Sequence, residues 1–165
     1  MPSIAQIGLR SAQFITVLLS LALIAAAIDI QRASKDSVNY AMFTAVFSMI
    51  VVLYGLVAAF VESLAHPLVL AVMDGAALVF NLLAGIILAG YLRVRSCGNR
   101  RYVNTNQLTQ GLSGRCRELQ AATAFFWFSF ALFTASLAVD FMNKGSSTGM
   151  RRRGGARTGP TMTQV

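Results

Sequence analysis

Four long apolar runs constrain this chain more than any other feature of its sequence. Each is long enough to cross a hydrocarbon core about 30 Å thick, which takes a helix of about 20 residues. None alternates apolar and polar residues with the period of two that a membrane β-strand requires. The sequence therefore predicts an all-α integral membrane protein with four transmembrane helices, at about residues 11–30, 41–61, 68–92 and 119–141.

The segments between the runs predict how the helices are arranged. The connection at 62–67 is so short that the second and third helices must be antiparallel neighbours. The simplest arrangement is an antiparallel four-helix transmembrane bundle over residues 1–142, with one longer loop at 93–118 between the third and fourth helices. Residues 143–165 are rich in Gly, Ser, Thr and Arg, and we predict that they form a basic, largely disordered tail.

The composition excludes several classes of protein. Charged residues make up 12% of the chain, against about 25% in a soluble domain. The net charge of +8 lies in the loops and the tail, which favours contact with anionic lipid headgroups over nucleic-acid binding. One histidine and two cysteines cannot form a tetrahedral zinc site without several carboxylates nearby. No nucleophile or nucleotide-binding motif is present, so we predict no enzymatic activity, metal or cofactor.

Small and polar residues at three- and four-residue spacing mark the predicted inward faces of the helices, because helices in lipid pack through such residues. On the third helix this face consists of Leu70, Asp74, Ala77, Asn81, Ala84 and Leu88. On the fourth helix it consists of Ala122, Phe125, Ser129, Leu132, Ser136 and Asp140.

Asp74 is the most informative polar residue within the runs. A carboxylate inside the bilayer costs about 2.5–3.5 kcal/mol on insertion scales, so another group must compensate it. One interpretation is a site that senses protons or lipid headgroups, with Asn81 one heptad along on the same face. The other is a packing residue that fixes helix register, either protonated or hydrogen-bonded to Tyr54, Ser48 or a backbone group.

The end of the third run offers a second candidate lipid contact. Tyr91 and Arg93 follow Leu88 in a loose sterol-contact pattern, "LAGYLR". The same two residues equally fit an ordinary anchor at the membrane interface.

Charge and cysteines give different indications of which side the long loop faces. The loop side carries eight Lys and Arg residues and the terminal side six, which together make the 14 of the chain. The slightly larger charge on the loop side only weakly favours cytosolic loops under the positive-inside rule. If the loop faces an oxidising compartment, Cys97 and Cys116 can close a disulfide, worth about 3 kcal/mol on the chain-entropy model. If it is cytosolic, both stay reduced and Cys97 is a palmitoylation candidate.

Several segments together resemble a known family. They are "VNYAMF" (38–43), "LYG" (53–55), "PLVLAVMD" (67–74), "SCGNRRYV" (96–103), "TQGLSGRCRELQAA" (109–122) and "PTMTQV" (160–165). The chain resembles the fungal MARVEL-domain family called non-classical export protein 2. The resemblance implies a multi-pass plasma-membrane protein with cytosolic termini and extracellular loops at 31–40 and 93–118, and it thereby favours the disulfide. Asp74 lies within a matched segment, which strengthens the sensing interpretation.

The family is associated with eisosomes and with sterol-rich membrane compartments, sphingolipid status and unconventional secretion. By resemblance, partners would be sterol, sphingolipid and eisosome scaffold proteins. Separately, Gly and Ala on the helix faces would allow a small homo-oligomer. The family's organising segment maps onto Pro160, Thr161, Met162, Thr163, Gln164 and Val165. With a cytosolic tail, either anionic inner-leaflet lipids would contact Arg151, Arg152, Arg153 and Arg157, or these charges would only fix the topology.

The sequence thus predicts a non-enzymatic organiser of a membrane compartment. The alternative is a small transporter or channel-like carrier of solutes or lipids. That function would require several inward polar groups, broken helices and inverted repeats. The runs offer one Asp and one Asn within the third helix and no proline inside any predicted span.

Overall fold

The computed structural model describes residues 4–61, 66–93 and 95–153 of the chain. These residues form five helices: α1 (Ile4–Asp29), α2 (Asp36–Phe60), α3 (Pro67–Leu92), α4 (Arg100–Thr105) and α5 (Ser113–Arg153). All except the short α4 contain an apolar segment long enough to span a membrane. The predicted all-α fold with four transmembrane helices is confirmed.

The four long helices form a ring in which α1 and α3 lie on one diagonal and α2 and α5 on the other. α1 packs against α2 and α5, and α3 packs against the same two helices. Among the described residues the diagonal pairs make no close backbone contact. The core is closed mainly by small side chains together with Phe126 and Phe133 of α5, both of which are fully buried.

The helix ends follow from local chemistry. α2 begins at Asp36, whose carboxylate lies in the first turn, where the helix dipole favours negative charge. α3 begins at Pro67, which has no backbone N–H to leave unpaired. α5 continues to Arg153 and contains no proline that would break it. The predicted start of the tail at residue 143 therefore falls inside α5, and 154–165 lie outside the described residues.

The loop between α3 and α5 folds over one end of the bundle around α4. Cys97 and Cys116 are joined by a disulfide with their Cα atoms 5.7 Å apart, and they form a small cluster with Tyr102 and Val103. The loop also binds the α1–α2 connection through Gln110, whose Nε2 donates to the Ala33 carbonyl at 2.7 Å. The two connections on this side of the bundle thus form one structure, which we call the loop layer (residues 30–35 and 95–112).

Candidate functional site

The buried carboxylate of Asp74 is paired with an arginine from the opposite corner of the bundle. Arg10 of α1 donates from Nη1 to Oδ1 at 2.7 Å and from Nη2 to Oδ2 at 2.6 Å. Arg10 is 8% exposed and Asp74 is not exposed at all. Two parallel hydrogen bonds between a guanidinium and a carboxylate are among the strongest polar contacts that side chains make. The pair therefore links α1 to α3 across the diagonal, where their backbones do not touch.

All four long helices contribute residues to the site around this ion pair. Ser136 of α5 donates its hydroxyl to Asp74 Oδ2 at 3.2 Å. Arg10 also donates to Gln13 Oε1 at 3.1 Å. On α2, Gly55 leaves the space for the guanidinium, since a Cβ atom there would lie 2.9 Å from Arg10 Cζ. The site is a closed network in which each charge has a partner of opposite sign, as a buried ion pair requires.

This geometry corrects the predicted partners of Asp74. The sequence suggested Tyr54, Ser48 or a backbone group, and the structure shows Arg10. The sequence gives no direct sign of this partner, because Arg10 precedes the first apolar run and resembles an ordinary charge at a helix end. The spacing of Arg10, Gln13 and Val17 along one face of α1 could have revealed it. The geometry supports the packing interpretation, with an ion pair in place of a protonated acid, while sensing at Asp74 stays a prediction.

Asn81 forms a second polar link one heptad along α3. Its Nδ2 donates to Ser48 Oγ of α2 at 2.7 Å and to the Ala77 carbonyl at 2.7 Å. Asn81 is 1% exposed, so both bonds are shielded from solvent. Asp74 and Asn81 are therefore on the same inward face, as predicted, but they bind different helices.

The other α3 candidates lie at the loop end of the bundle. Tyr91 and Arg93 are exposed and line a groove of about 620 Å³ between α3 and the loop layer. Arg93 ends α3 in the left-handed conformation, with φ of 47°. Its position at a helix end is consistent with an interfacial anchor.

Tyr102 of α4 closes the inner edge of this groove. Its hydroxyl donates to the Leu92 carbonyl and accepts from Asn106 Nδ2 at 3.3 Å. Burial raises the pKa of this hydroxyl above its usual value, although Arg95 and Arg93 lower it in part. The α4 segment is therefore attached to the end of α3 by a tyrosine that remains neutral well into the alkaline range.

A comparison with known families identifies the bundle. The family model described as "Membrane-associating domain", MARVEL, matches residues 3–139. The chain belongs to the MARVEL family. Together with the four apolar helices, this establishes a multi-pass membrane protein.

The MARVEL bundle also has full-length relatives. It is 39% identical to "Non-classical export protein 2" of Saccharomyces cerevisiae, over 95% of each chain. It is also 39% identical to "Non-classical export protein 2 homolog 1" of the same yeast, over 90% of this chain and 91% of that one. A Schizosaccharomyces pombe homologue is 33% identical over 81% of this chain and 75% of its own. No solved structure matches.

Within this MARVEL protein the remaining predicted sites fall in three places. The disulfide pair, Cys97 and Cys116, lies in the loop layer and the adjoining end of α5. Arg151, Arg152 and Arg153 form the end of α5. Arg157 and the segment 160–165 lie outside the described residues. No three His, Cys, Asp or Glu side chains of the described ranges lie close enough to hold a metal ion together.

Proposed function

We propose that this chain is a non-enzymatic protein that organises a sterol- and sphingolipid-rich compartment of the plasma membrane and supports eisosome assembly beneath it. Its termini are cytosolic and its loop layer is extracellular. The observation that carries the proposal is the 39% identity over 95% of both chains to the yeast protein named for non-classical export. We extend that name to this chain as a role in unconventional export.

The bundle is suited to act through its outer surface. Inside the bundle the polar groups of Arg10, Asp74 and Asn81 bind one another or neighbouring helices, and Phe126 and Phe133 are fully buried. Large apolar side chains cover the outside, with Phe43 53% and Ile50 54% exposed on α2. A rigid bundle with such a surface sorts lipids by how well their chains pack against it. Sphingolipid depletion would then change the protein's surroundings, and so its lateral distribution.

The tail provides the cytosolic contact in this proposal. Residues 160–165 bind eisosome scaffold proteins. The arginines at 151–153 and 157 bind anionic inner-leaflet lipids, each contributing about 1 kcal/mol near the surface. Gly and Ala on the helix faces let copies of the bundle pack against each other.

The clustering experiment uses yeast cells that lack both Saccharomyces relatives. The full chain is compared with a chain that ends at residue 159 and with a chain whose last six residues are scrambled. We expect the full chain to form stable membrane patches, to restore scaffold clusters and to restore release of a leaderless reporter. Both tail variants should spread evenly at equal expression. Even spreading of the full chain would refute the proposed function, and clustering of both variants would refute the role of the tail.

The orientation is tested with one added cysteine at Asn104, an exposed residue of the loop layer, because Cys97 and Cys116 are buried and joined to each other. Intact cells are treated with a membrane-impermeant maleimide and no reductant. An extracellular loop layer predicts labelling of the Asn104→Cys variant without permeabilisation. Labelling that requires permeabilisation would place the loops in the cytosol.

A further inference from the structure

The groove at the loop end of α3 combines two kinds of surface. Ile86, Ile87 and Gly90 of α3 form its lower wall, and Ile86 and Gly90 are exposed. Arg93 and Arg95 lie at its upper end. Along the helix axis, Ile86 is about 10 Å below Arg93, at 1.5 Å per residue. A molecule that fills the groove must therefore be apolar at one end and bind two guanidinium groups at the other.

The charges at the upper end are available to a ligand. Both arginines are exposed, and within the described ranges neither guanidinium is in an ion pair, since the one found there joins Arg10 and Asp74. No acidic side chain is among the residues that line the groove. Guanidinium groups match the geometry of phosphate oxygens and bind them with charge-assisted hydrogen bonds.

The end of α3 would ordinarily repel an anion, because the last carbonyls of a helix carry partial negative charge. Here the loop layer covers those carbonyls. Asn106 Nδ2 donates to the Tyr91 carbonyl at 2.9 Å, and the Tyr102 hydroxyl donates to the Leu92 carbonyl. The negative end of α3 is thus occupied next to the two arginines, which leaves the upper end of the groove positive.

We propose that this groove binds an anionic membrane lipid, with the headgroup phosphate between Arg93 and Arg95 and an acyl chain along Ile86 and Gly90. The groove's volume of about 620 Å³ is in the range of small-molecule sites. Because the loop layer is extracellular in the function proposed above, the occupant in cells is an anionic lipid of the outer leaflet; this choice of leaflet rests on the proposed function, whereas binding to the groove does not.

A neighbouring depression provides the matched control. Arg100 and Arg117 line it, so it carries the same charge as the groove. Its other lining residues belong to the loop layer and the start of α5, and none is on α3. It offers contacts to a headgroup without an apolar wall for the chains of a lipid.

The first experiment measures lipid binding to the purified full chain by native mass spectrometry. The probes are phosphatidylinositol, phosphatidylcholine and diacylglycerol. We expect phosphatidylinositol to bind most tightly. Arg93→Gln/Arg95→Gln should weaken it about thirty-fold, which is about 2 kcal/mol at 1.4 kcal/mol per tenfold. Arg100→Gln/Arg117→Gln should change it by less than about three-fold. Equal binding of phosphatidylcholine, or equal losses in both double variants, would overturn the proposal.

A second pair of variants tests the groove without changing charge. A Cβ atom at Gly90 or at Gly75 meets nothing within 4 Å, so either glycine of α3 accepts a larger side chain. Gly90→Leu fills the groove and should lower phosphatidylinositol binding, whereas Gly75→Leu should not. Retained binding in Gly90→Leu would overturn the placement of the acyl chain. Clustering of the full chain in cells is scored separately, so either proposal can fail while the other stands.

Discussion

The ion pair between Arg10 and Asp74 makes a prediction that a double-mutant cycle can test. Arg10→Met and Asp74→Val each remove one charge and leave the other buried. The pair contributes two charge-assisted hydrogen bonds at 2.6 and 2.7 Å, each worth roughly 1.5–3 kcal/mol. We therefore expect each single variant to lose about 3–5 kcal/mol of unfolding free energy, the range for breaking a buried pair.

The double variant should behave differently, because it leaves no buried charge. Replacing a buried ion pair by apolar side chains is often neutral or stabilising. We expect the double variant to lie within about 1.5 kcal/mol of the wild type, so the coupling between the two sites is at least about 4.5 kcal/mol. Asp29→Asn on the exposed end of α1 is the control, since it removes a carboxylate without touching the site.

The assay is reversible unfolding in mixed micelles with increasing dodecyl sulfate. Trp127 is the one tryptophan of the chain, and its indole lies against Gly85 of α3. Its fluorescence therefore reports the separation of α5 from α3. Losses below about 1 kcal/mol in the single variants, or a double variant equal to their sum, would refute the stabilising role of the pair.

Three further predictions concern the space around Arg10 and the loop layer. Gly55→Ala should lose about 1–3 kcal/mol of unfolding free energy because its Cβ meets Arg10 at 2.9 Å. Gly75→Ala should instead gain up to about 1 kcal/mol of helix stability. Equal effects of the two variants in the dodecyl sulfate assay would contradict this prediction. Replacing Cys97 and Cys116 by serine should cost about 3 kcal/mol in the same assay, and reduction of the wild type should give a matching loss. Burial raises the pKa of Tyr102. Its contribution to the unfolding free energy is therefore complete below about pH 10 and declines as the pH rises toward the pKa of the folded state. Tyr102→Phe should lack this decline and should lose about 1 kcal/mol of unfolding free energy at pH 7.

The number and type of helices could be predicted because a membrane span has a length and composition that few other elements share. The inward face of α3 was also predictable, since Asp74, Ala77, Asn81, Ala84 and Leu88 are all buried. In lipid, small and polar side chains mark the inward face of a helix, because helices pack through them. Large apolar side chains are about equally stable on the inward face and on the face toward lipid.

The face of α5 was predicted less well for the same physical reason. Phe126 and Phe133 are fully buried, whereas the predicted Phe125 and Leu132 are half-buried. Neighbouring aromatic residues are about equally stable facing lipid and facing the core. The sequence alone therefore does not show which of two neighbours, such as Phe125 and Phe126, faces inward.

The loop layer could not be predicted from the sequence, for a different reason. Its contacts, such as Gln110 with Ala33, join residues 77 positions apart and follow no local period. The role of Arg10 is equally hard to predict, because a charge just outside an apolar run is normally an anchor for the helix end. Only the position of Asp74 on the opposite helix gives that arginine its structural role.

The separation of Arg10 and Asp74 along the chain has a consequence for biosynthesis. The two residues are 64 positions apart, and at 5–20 residues per second the ribosome needs roughly 3 to 13 seconds to cover that distance. During this interval the arginine has no counter-ion, so the start of the first helix must remain hydrated at the membrane surface. Insertion of that segment is thus coupled to the arrival of α3, so the start of α1 is made before α3 but reaches its final depth only together with it.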